Sequence, residues 1–295
     1  MRILSPLVRW WNHWWFEHDS QASAELFRIT FGAFLCLHFL LSAPNWSLFY
    51  GRDRAILPWT PGFSIFRFAP DAPFFSWAVL VFGFLAAVCF TIGYRTRLMS
   101  VVLYVVYVSM FHENILRRCG QESLGSLLLF LACFTPLSGR SATEKLWGFR
   151  LMQLSVCLLY FFAAVTKLGD ETWRDGTALY YLSLDDNWFR YPGVNWTHSL
   201  AFSRIATWGT LAIELLFPFW IWFRQTRMLA LGSVIALHLG AMVLLAPGIF
   251  YFNLFMVLVD MMFLPKSLAE RWVWRTRSGF GGLSSVPSPS SSLSR

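Results

Sequence analysis

Charged residues are scarce in this sequence, since Asp, Glu, Lys and Arg make up only 14% of its 295 residues. In soluble domains, charged residues make up about a quarter of the sequence. Hydrophobic residues reach 56% and aromatic residues 19%, which is more apolar surface than a water-soluble fold of this length can bury. The shortage of charge therefore excludes an ordinary soluble domain and favours a protein that lies in lipid.

Several motifs that carry chemistry are also missing. The five cysteines include no CxxC pair, which argues against a thiol–quinone oxidoreductase. The sequence has no Walker A loop, no HExxH and no GxSxG, so it lacks the usual signatures of nucleotide, zinc-protease and serine-hydrolase sites. Its six histidines are interfacial or far apart, and we expect no metal site. The basic residues form no stripe, so nucleic acid is not an expected partner.

The long apolar segments predict an all-α, polytopic transmembrane bundle of about eight spans in a single domain. A helix needs roughly 20 residues to cross the bilayer core. The last two spans come from one uncharged run of 32 residues, in which Pro247 and Gly248 supply the break. The candidate spans are residues 24–41, 74–94, 98–111, 123–136, 151–166, 199–223, 228–245 and 249–264.

The two ends of the chain differ from this transmembrane domain, which we place at residues 21–265. Residues 1–20 are expected to form an amphipathic interfacial helix, because four tryptophans between positions 10 and 15 share one helical face. Residues 266–295 are basic and then rich in Ser and Pro, which predicts a disordered tail. The two termini and the helix-connecting loops on their side carry 14 Lys and Arg, against eight in the loops on the other side. We therefore predict a multi-pass protein of the inner or plasma membrane, with both termini cytoplasmic and in contact with the lipid bilayer.

Lys167 is the first polar residue in an unfavourable position, since it closes the apolar run that begins at Leu151. Its ammonium could snorkel to the interface or pair with Asp170 or Glu171. Alternatively it could face a partly dry cavity, where the neutral amine would act as a base.

Glu214 lies in the middle of the sixth predicted span, where a carboxylate should face the bundle and have a partner. It could clamp two helices together, be protonated, or pair with His238 of the next span. Gln121 and Glu122 stand at the start of the fourth span. They could cap that helix or take part in an anion site at its N-terminus.

The loop after Lys167 mixes aromatic, acidic and glycine positions. Trp173, Asp175, Tyr180 and Tyr181 are its candidate functional residues. Such a loop can be re-entrant and line a cavity, or it can be part of an interfacial aromatic belt. Both interpretations remain open at this point.

Motifs spread over about residues 20–265 are similar to those of one family of membrane proteins. They are Glu25–Ile29 with Phe31-Gly32, Asn114–Leu124 leading into Pro136-Leu137, Arg150–Leu154, Tyr160-Phe161, Thr166–Leu168, Trp173, Asp175-Gly176, Tyr181-Leu182, Glu214–Pro218, Thr226-Arg227 and His238. These motifs resemble the HTTM (horizontally transferred transmembrane) domain family, which is related to the membrane part of vitamin K-dependent γ-glutamyl carboxylase.

The resemblance implies a role for Lys167. In the carboxylase, the lysine at this position is thought to deprotonate vitamin K hydroquinone. Oxygenation of the quinol then generates a strong base that removes a proton from a glutamate γ-carbon, to which carbon dioxide adds. The resemblance therefore implies a vitamin K-like reduced quinone as cofactor and Lys167 as catalytic base. The residues expected to line the cavity or bind substrate are Gln121, Glu122, Trp173, Asp175, Tyr180, Tyr181, Glu214 and His238.

Three departures separate this chain from the carboxylase. Thr166 stands where the carboxylase has a second lysine, Gln121 where it has a functional histidine, and the tail follows where it has a large lumenal domain. Two hypotheses follow. One is a quinol-dependent, carboxylase-like enzyme with an external-leaflet cavity. The other is a non-enzymatic membrane partner, such as an immunity or export-accessory protein that works with a thioredoxin-like or other membrane-associated protein. A transporter is a third option.

Overall fold

The computed structural model describes residues 4–16, 21–51, 62–68, 73–113, 120–138, 146–191 and 199–280. Within these ranges the chain is helical and contains no strand, apart from one isolated bridge between Phe189 and Leu245. The predicted all-α class is therefore confirmed.

Long helices occupy every apolar segment that the sequence marks as a candidate span. In chain order the helices are α1 Leu4–Phe16, α2 Gln21–Ser42, α3 Trp46–Tyr50, α4 Pro73–Ile92, α5 Thr96–Glu113, α6 Gly120–Phe134, α7 Trp147–Leu168, α8 Glu171–Asp175, α9 Ala178–Ser183, α10 Leu200–Trp220, α11 Arg227–Leu244, α12 Pro247–Asp260 and α13 Lys266–Phe280. Pro247 is the first residue of α12, where its missing amide hydrogen costs nothing.

The structure does not confirm the number of spans predicted from the sequence. In the described ranges, five segments are long and apolar enough to cross a membrane: Gln21–Tyr50, Phe74–Ile92, Trp147–Leu168, Leu200–Trp220 and Arg227–Leu244. Pro247–Phe263 and Lys266–Thr276, joined at a bend of 114°, would make a sixth. With 15 residues, α6 is too short to cross a membrane by this measure, and α5 is not among the segments that are long and apolar enough. The predicted count of about eight is not confirmed.

The distribution of side chains fits lipid as the surrounding solvent. Phe74, Phe82 and Ile205 are among many large apolar side chains that are exposed, whereas Arg28 and Asp260 are buried. A soluble protein shows the reverse arrangement, because water penalises exposed apolar patches and solvates charges. The chain is thus an integral membrane protein with several spans.

Arg28 of α2 joins three parts of the bundle. Its guanidinium donates hydrogen bonds to the carbonyl oxygens of Leu137 and Phe90, each at 2.9 Å, and to that of Thr91. It also forms an ion pair with Glu25 at 3.4 Å. The carbonyls of Phe90 and Thr91 lie in the last turn of α4, where no further helical turn follows to supply donors. The Phe90 carbonyl also accepts a hydrogen bond from the Gly93 amide at 3.1 Å. Arg28 therefore caps α4 from inside the bundle.

Gly32 of α2 allows the closest approach between α2 and α4. A Cβ atom at this position would overlap the hydroxyl and backbone of Thr91. Arg28 and Gly32 both belong to the motif Glu25–Ile29 with Phe31-Gly32, and both contact the C-terminal end of α4. This motif consequently has a structural role in helix packing.

The N-terminal helix α1 packs against α7 through Trp14. The Trp14 and Trp222 rings lie 5.7 Å apart, and the guanidinium of Arg150 lies 4.8 Å and 5.0 Å from their respective centroids. We call this end of the bundle the α1 end. The opposite end, where α7 finishes, is called the Lys167 end.

The basic segment after residue 265 begins with a helix, α13 (Lys266–Phe280). In α13, Ala269 and Val273 are buried and pack against Leu26 of α2. These apolar residues, four apart, give the basic helix one face that can be buried. The Ser- and Pro-rich residues 281–295 lie outside the described residues.

Candidate functional site

Lys167 and Glu214 form an ion pair between α7 and α10. The Lys167 Nζ lies 2.7 Å from both Oε1 and Oε2 of Glu214. The Lys167 side chain is 25% exposed and that of Glu214 is 9% exposed. The partner of Lys167 is thus neither Asp170 nor Glu171, and the partner of Glu214 is not His238. The clamp between two helices that was one interpretation of Glu214 is observed, with a different partner.

Local structure at the end of α7 holds Lys167 in place. Lys167 lies in the last turn of α7, where the free carbonyl groups favour a cation. Asp170 then starts α8, because its Oδ1 accepts a hydrogen bond from the Thr172 amide at 2.8 Å. This short helix places the Trp173 ring with its centroid 5.2 Å from Lys167 Nζ, which is within the range of a cation–π contact.

A groove of about 630 Å³ runs between α6 and α7 and has Lys167 at one end. Leu127 of α6 and Leu158 and Phe162 of α7 line it, so most of its wall is apolar. Thr166 and Ser123 are polar residues of the lining. The groove has the size of a small-molecule site and combines an apolar wall with one charged group.

Gln121 and Glu122, which the sequence assigns to the site, are buried in the first turn of α6 and do not line this groove. Gln121 Nε2 donates a hydrogen bond to Glu122 Oε1 at 3.2 Å. Their neighbours Gly120 and Ser123 supply the groove wall at this level. Two adjacent residues of a helix face different directions, so a motif alone does not tell which of them lines a groove.

Asp175, Tyr180 and Tyr181 lie on α8 and α9 and also do not line the groove. Asp175 Oδ1 accepts hydrogen bonds from the hydroxyl and amide of Thr177, at 2.6 Å and 2.8 Å, and these bonds hold the pKa of Asp175 below its ordinary value. The Tyr180 amide donates to Ser203 Oγ at 2.8 Å, and Tyr181 is 58% exposed. Asp175 therefore stabilises the loop internally, and Tyr180 attaches it to α10.

His238 belongs to a second polar cluster deeper in the bundle. Its Nε2 lies 2.8 Å from the hydroxyl oxygen of Tyr160, and its Nδ1 lies 2.7 Å from Oδ1 of Asn253. The Tyr160 hydroxyl oxygen also lies 2.8 Å from Asp260 Oδ2. All four side chains are buried. The structure therefore divides the predicted site into the Lys167–Glu214 pair and this cluster, which we call the Tyr160 cluster.

Sequence reasoning missed Asn253 and Asp260 and gave Tyr160 no role of its own. A signal for Asp260 was present, because it falls inside the predicted span 249–264, where a carboxylate is costly and needs a partner. Tyrosine and asparagine in an apolar helix give a weaker signal. In the described part of the chain, no group of three or more His, Cys, Asp or Glu residues could hold a metal ion.

Comparison with known proteins relates the chain to a family of membrane proteins. Residues 127–267 match the family model of the HTTM domain, and this range contains both clusters. This part of the chain therefore matches the HTTM domain family that the motifs resemble, a family related to the membrane part of the γ-glutamyl carboxylase.

One relative is the Bacillus subtilis (strain 168) protein named "Uncharacterized protein YitO". It is 24% identical to this chain over an aligned length of 192 residues, and the match covers 59% of this chain. The chain spans 62% of the length of that relative. No solved structure matches the chain.

Proposed function

We propose that this integral membrane protein is an enzyme that binds a lipid-soluble quinol in the groove between α6 and α7 and deprotonates it with Lys167. The observation that carries the proposal is the position of the Lys167–Glu214 pair at one end of an apolar groove. A charged pair is costly where it is partly desolvated. A proton-transfer role at the mouth of a ligand site gives a reason for that cost.

The groove residues fit such a ligand. Leu127, Leu158 and Phe162 would hold an aromatic ring and the start of an apolar tail, with the hydroxyl at the Lys167 end. Phe162 is largely exposed, so a ligand dissolved in the bilayer could enter sideways. If both termini are cytoplasmic, as the distribution of Lys and Arg predicts, this end of the groove opens to the external leaflet. The quinol, when bound, would supply an acidic hydroxyl group.

Lys167 and Glu214 can act on that hydroxyl as one unit. Partial burial disfavours two opposite charges, so the ammonium can give a proton to the carboxylate and become a neutral amine. The amine then takes the hydroxyl proton as a general base. The ammonium that results lies beside the new oxyanion and over the Trp173 ring, and both contacts stabilise it.

Quinol turnover by the purified protein tests this proposal. Lys167→Met should abolish turnover while the reduced quinone still binds, because the apolar groove is intact and only the base is lost. Lys266→Met is the matched control, since Lys266 is an exposed lysine at the α1 end, and its turnover should equal that of the wild type. Turnover that is unchanged in Lys167→Met would refute the proposal.

A second candidate function rests on the same ion pair. The pair joins α7 to α10 without any ligand, which is what a purely structural lysine would do. This favours the non-enzymatic hypothesis, in which the bundle serves a thioredoxin-like or another membrane-associated protein as a partner. Crosslinking in intact membranes followed by purification tests it. A partner that is recovered equally with wild type and with Lys167→Met, together with absent quinol turnover, would support this candidate over the enzyme.

A further inference from the structure

One face of α7 carries a polar residue at every second turn. Gln153, Tyr160 and Lys167 are spaced seven residues apart, which is about two helical turns or about 10 Å for each interval. Each of the three bonds to another part of the bundle. Gln153 Nε2 donates to the Met262 carbonyl at 3.2 Å, Tyr160 contacts Asp260 and His238, and Lys167 contacts Glu214. Polar groups therefore follow one another from the α1 end to the Lys167 end.

A polar cavity of about 60 Å³ lies at the α1 end of this face. Its volume is enough for about two waters, since one water occupies roughly 30 Å³ in the liquid. Gln153, Arg150, Arg227 and Met262 are among its lining residues. Met262 comes two residues after Asp260. The cavity thus provides a polar environment close to the inner end of the Tyr160 cluster.

The hydrogen bonds of the Tyr160 cluster restrict where its protons lie. The Asn253 amide nitrogen donates to the Ile249 carbonyl at 2.9 Å, so Asn253 Oδ1 is the atom that faces His238. This oxygen can only accept, which requires a hydrogen on His238 Nδ1. The Tyr160 hydroxyl has one hydrogen but two partners, His238 Nε2 and Asp260 Oδ2.

With a neutral tyrosine and no hydrogen on Asp260 Oδ1, two proton arrangements satisfy these contacts. In the first, a neutral Asp260 donates to Tyr160, and Tyr160 donates to a neutral His238. In the second, a cationic His238 donates to Tyr160, and Tyr160 donates to an anionic Asp260. Both arrangements contain the same number of protons and have the same net charge.

The surroundings of Asp260 favour the neutral arrangement at rest. Asp260 is 0% exposed, and its Oδ1 has no hydrogen-bond partner among the described residues. A buried carbonyl oxygen without a partner costs a few kcal/mol at most, roughly 1–3. An unpaired oxygen of a buried carboxylate costs more, because it carries charge. Asp260 is thus held as a carboxylic acid.

We propose that Asp260, Tyr160 and His238 form a proton relay between the polar cavity at the α1 end and the half of the bundle that holds Lys167. In one event, the Asp260 Oδ2 proton moves to the Tyr160 hydroxyl oxygen while the Tyr160 proton moves to His238 Nε2. An O–H bond breaks at Asp260 and an N–H bond forms at His238, with no electron transfer and no change in net charge. Asn253 then stabilises the imidazolium through its carbonyl oxygen. The ligand of this site is the proton itself.

The relay would give a proton taken up by Lys167 a route through the bundle, and this consequence rests on the proposed function. The relay itself does not. Asp260 Oδ2, the Tyr160 hydroxyl oxygen and His238 Nε2 are joined by two contacts of 2.8 Å each. The relay therefore covers the part of the path that lies beside Tyr160.

Infrared spectroscopy of the purified full-length chain tests the relay without any quinol. The wild type should show a protonated carboxylic acid band that disappears in Asp260→Asn and shifts after transfer to D₂O. In Tyr160→Phe this band should persist, but its shift in D₂O should be delayed, because the acid no longer exchanges its proton through a hydroxyl. Tyr181→Phe, which alters an exposed tyrosine, should exchange as fast as the wild type.

Two results would contradict the relay. If Asp260→Asn removes no acid band, Asp260 is a carboxylate at rest and the relay is wrong. If Tyr160→Phe exchanges as fast as the wild type, the Tyr160 hydroxyl carries no protons and the relay is wrong again. Should Tyr160→Phe fail to fold, His238→Gln takes its place with the same two outcomes, since glutamine can hydrogen-bond to Tyr160 but cannot become a cation. None of these readings depends on quinol turnover, so failure of the proposed function would leave them intact.

Discussion

Replacing Lys167 with methionine should destabilise the bundle strongly and should be partly rescued by a second change, Glu214→Gln. Removal of one partner from a buried ion pair costs roughly 3–5 kcal/mol because a charge is left uncompensated, and we expect the lower end since Lys167 is partly exposed. In the double variant no charge remains at the site. The free energy of unfolding in detergent, measured for both single variants and the double variant, gives the coupling between the two residues.

The exposed ion pair of α13 provides the matched control for this cycle. Lys266 Nζ and Glu270 Oε1 are 3.9 Å apart, and both side chains are well exposed. Exposed pairs of this kind contribute about 0–1 kcal/mol, so Lys266→Met with Glu270→Gln should show almost no coupling. Equal coupling in the two cycles would contradict the assignment of Lys167 and Glu214 as a partly desolvated pair.

Arg28→Met should produce a loss of stability of similar size, for a different reason. The methionine fills the same space but donates nothing to the carbonyl groups of Leu137, Phe90 and Thr91. The Phe90 carbonyl keeps the Gly93 amide as a donor, but a buried acceptor that loses its only donor costs roughly 1–3 kcal/mol. Thermal or denaturant unfolding in detergent measures the effect. We expect the end of α4 to become accessible to limited proteolysis at the same time.

Two other substitutions bracket this result. Arg28→Lys should be intermediate, because an ammonium group carries the charge but cannot reproduce the geometry of the guanidinium fork. Arg224→Met, which alters an exposed loop arginine, should change stability by no more than about 0.5 kcal/mol. If Arg28→Met is as stable as Arg224→Met, the role of Arg28 in capping α4 is wrong.

Much of the fold could be predicted from sequence because lipid imposes a simple rule. A long apolar helix is stable only where lipid surrounds it. The positions of α2, α4, α7, α10 and α11 therefore follow from the scarcity of charge in these segments. The number of spans could not be predicted in the same way. Short helices such as α6 are apolar but below the length that a single span needs, and hydropathy does not tell a short span from a buried helix.

Sequence reasoning picks out polar residues of the bundle one by one, but it does not give their pairings. Lys167, Glu214 and His238 were selected because lipid penalises polar groups, and that reasoning applies to each residue separately. Pairing depends on how helices are rotated against one another, which the sequence does not specify. Glu214 therefore contacts Lys167, whereas His238 contacts Tyr160. Gln121 and Glu122 were assigned to the site because a motif gives positions along a helix and not the direction of each side chain.

A structure of the protein with a bound lipid-soluble quinone analogue would test the central claim most directly. We predict density for the analogue in the groove between α6 and α7, with a ring oxygen within hydrogen-bond distance of Lys167 Nζ and the tail along Leu158 and Phe162. An analogue bound elsewhere, with Lys167 still closed on Glu214 and the groove empty, would contradict the proposed function.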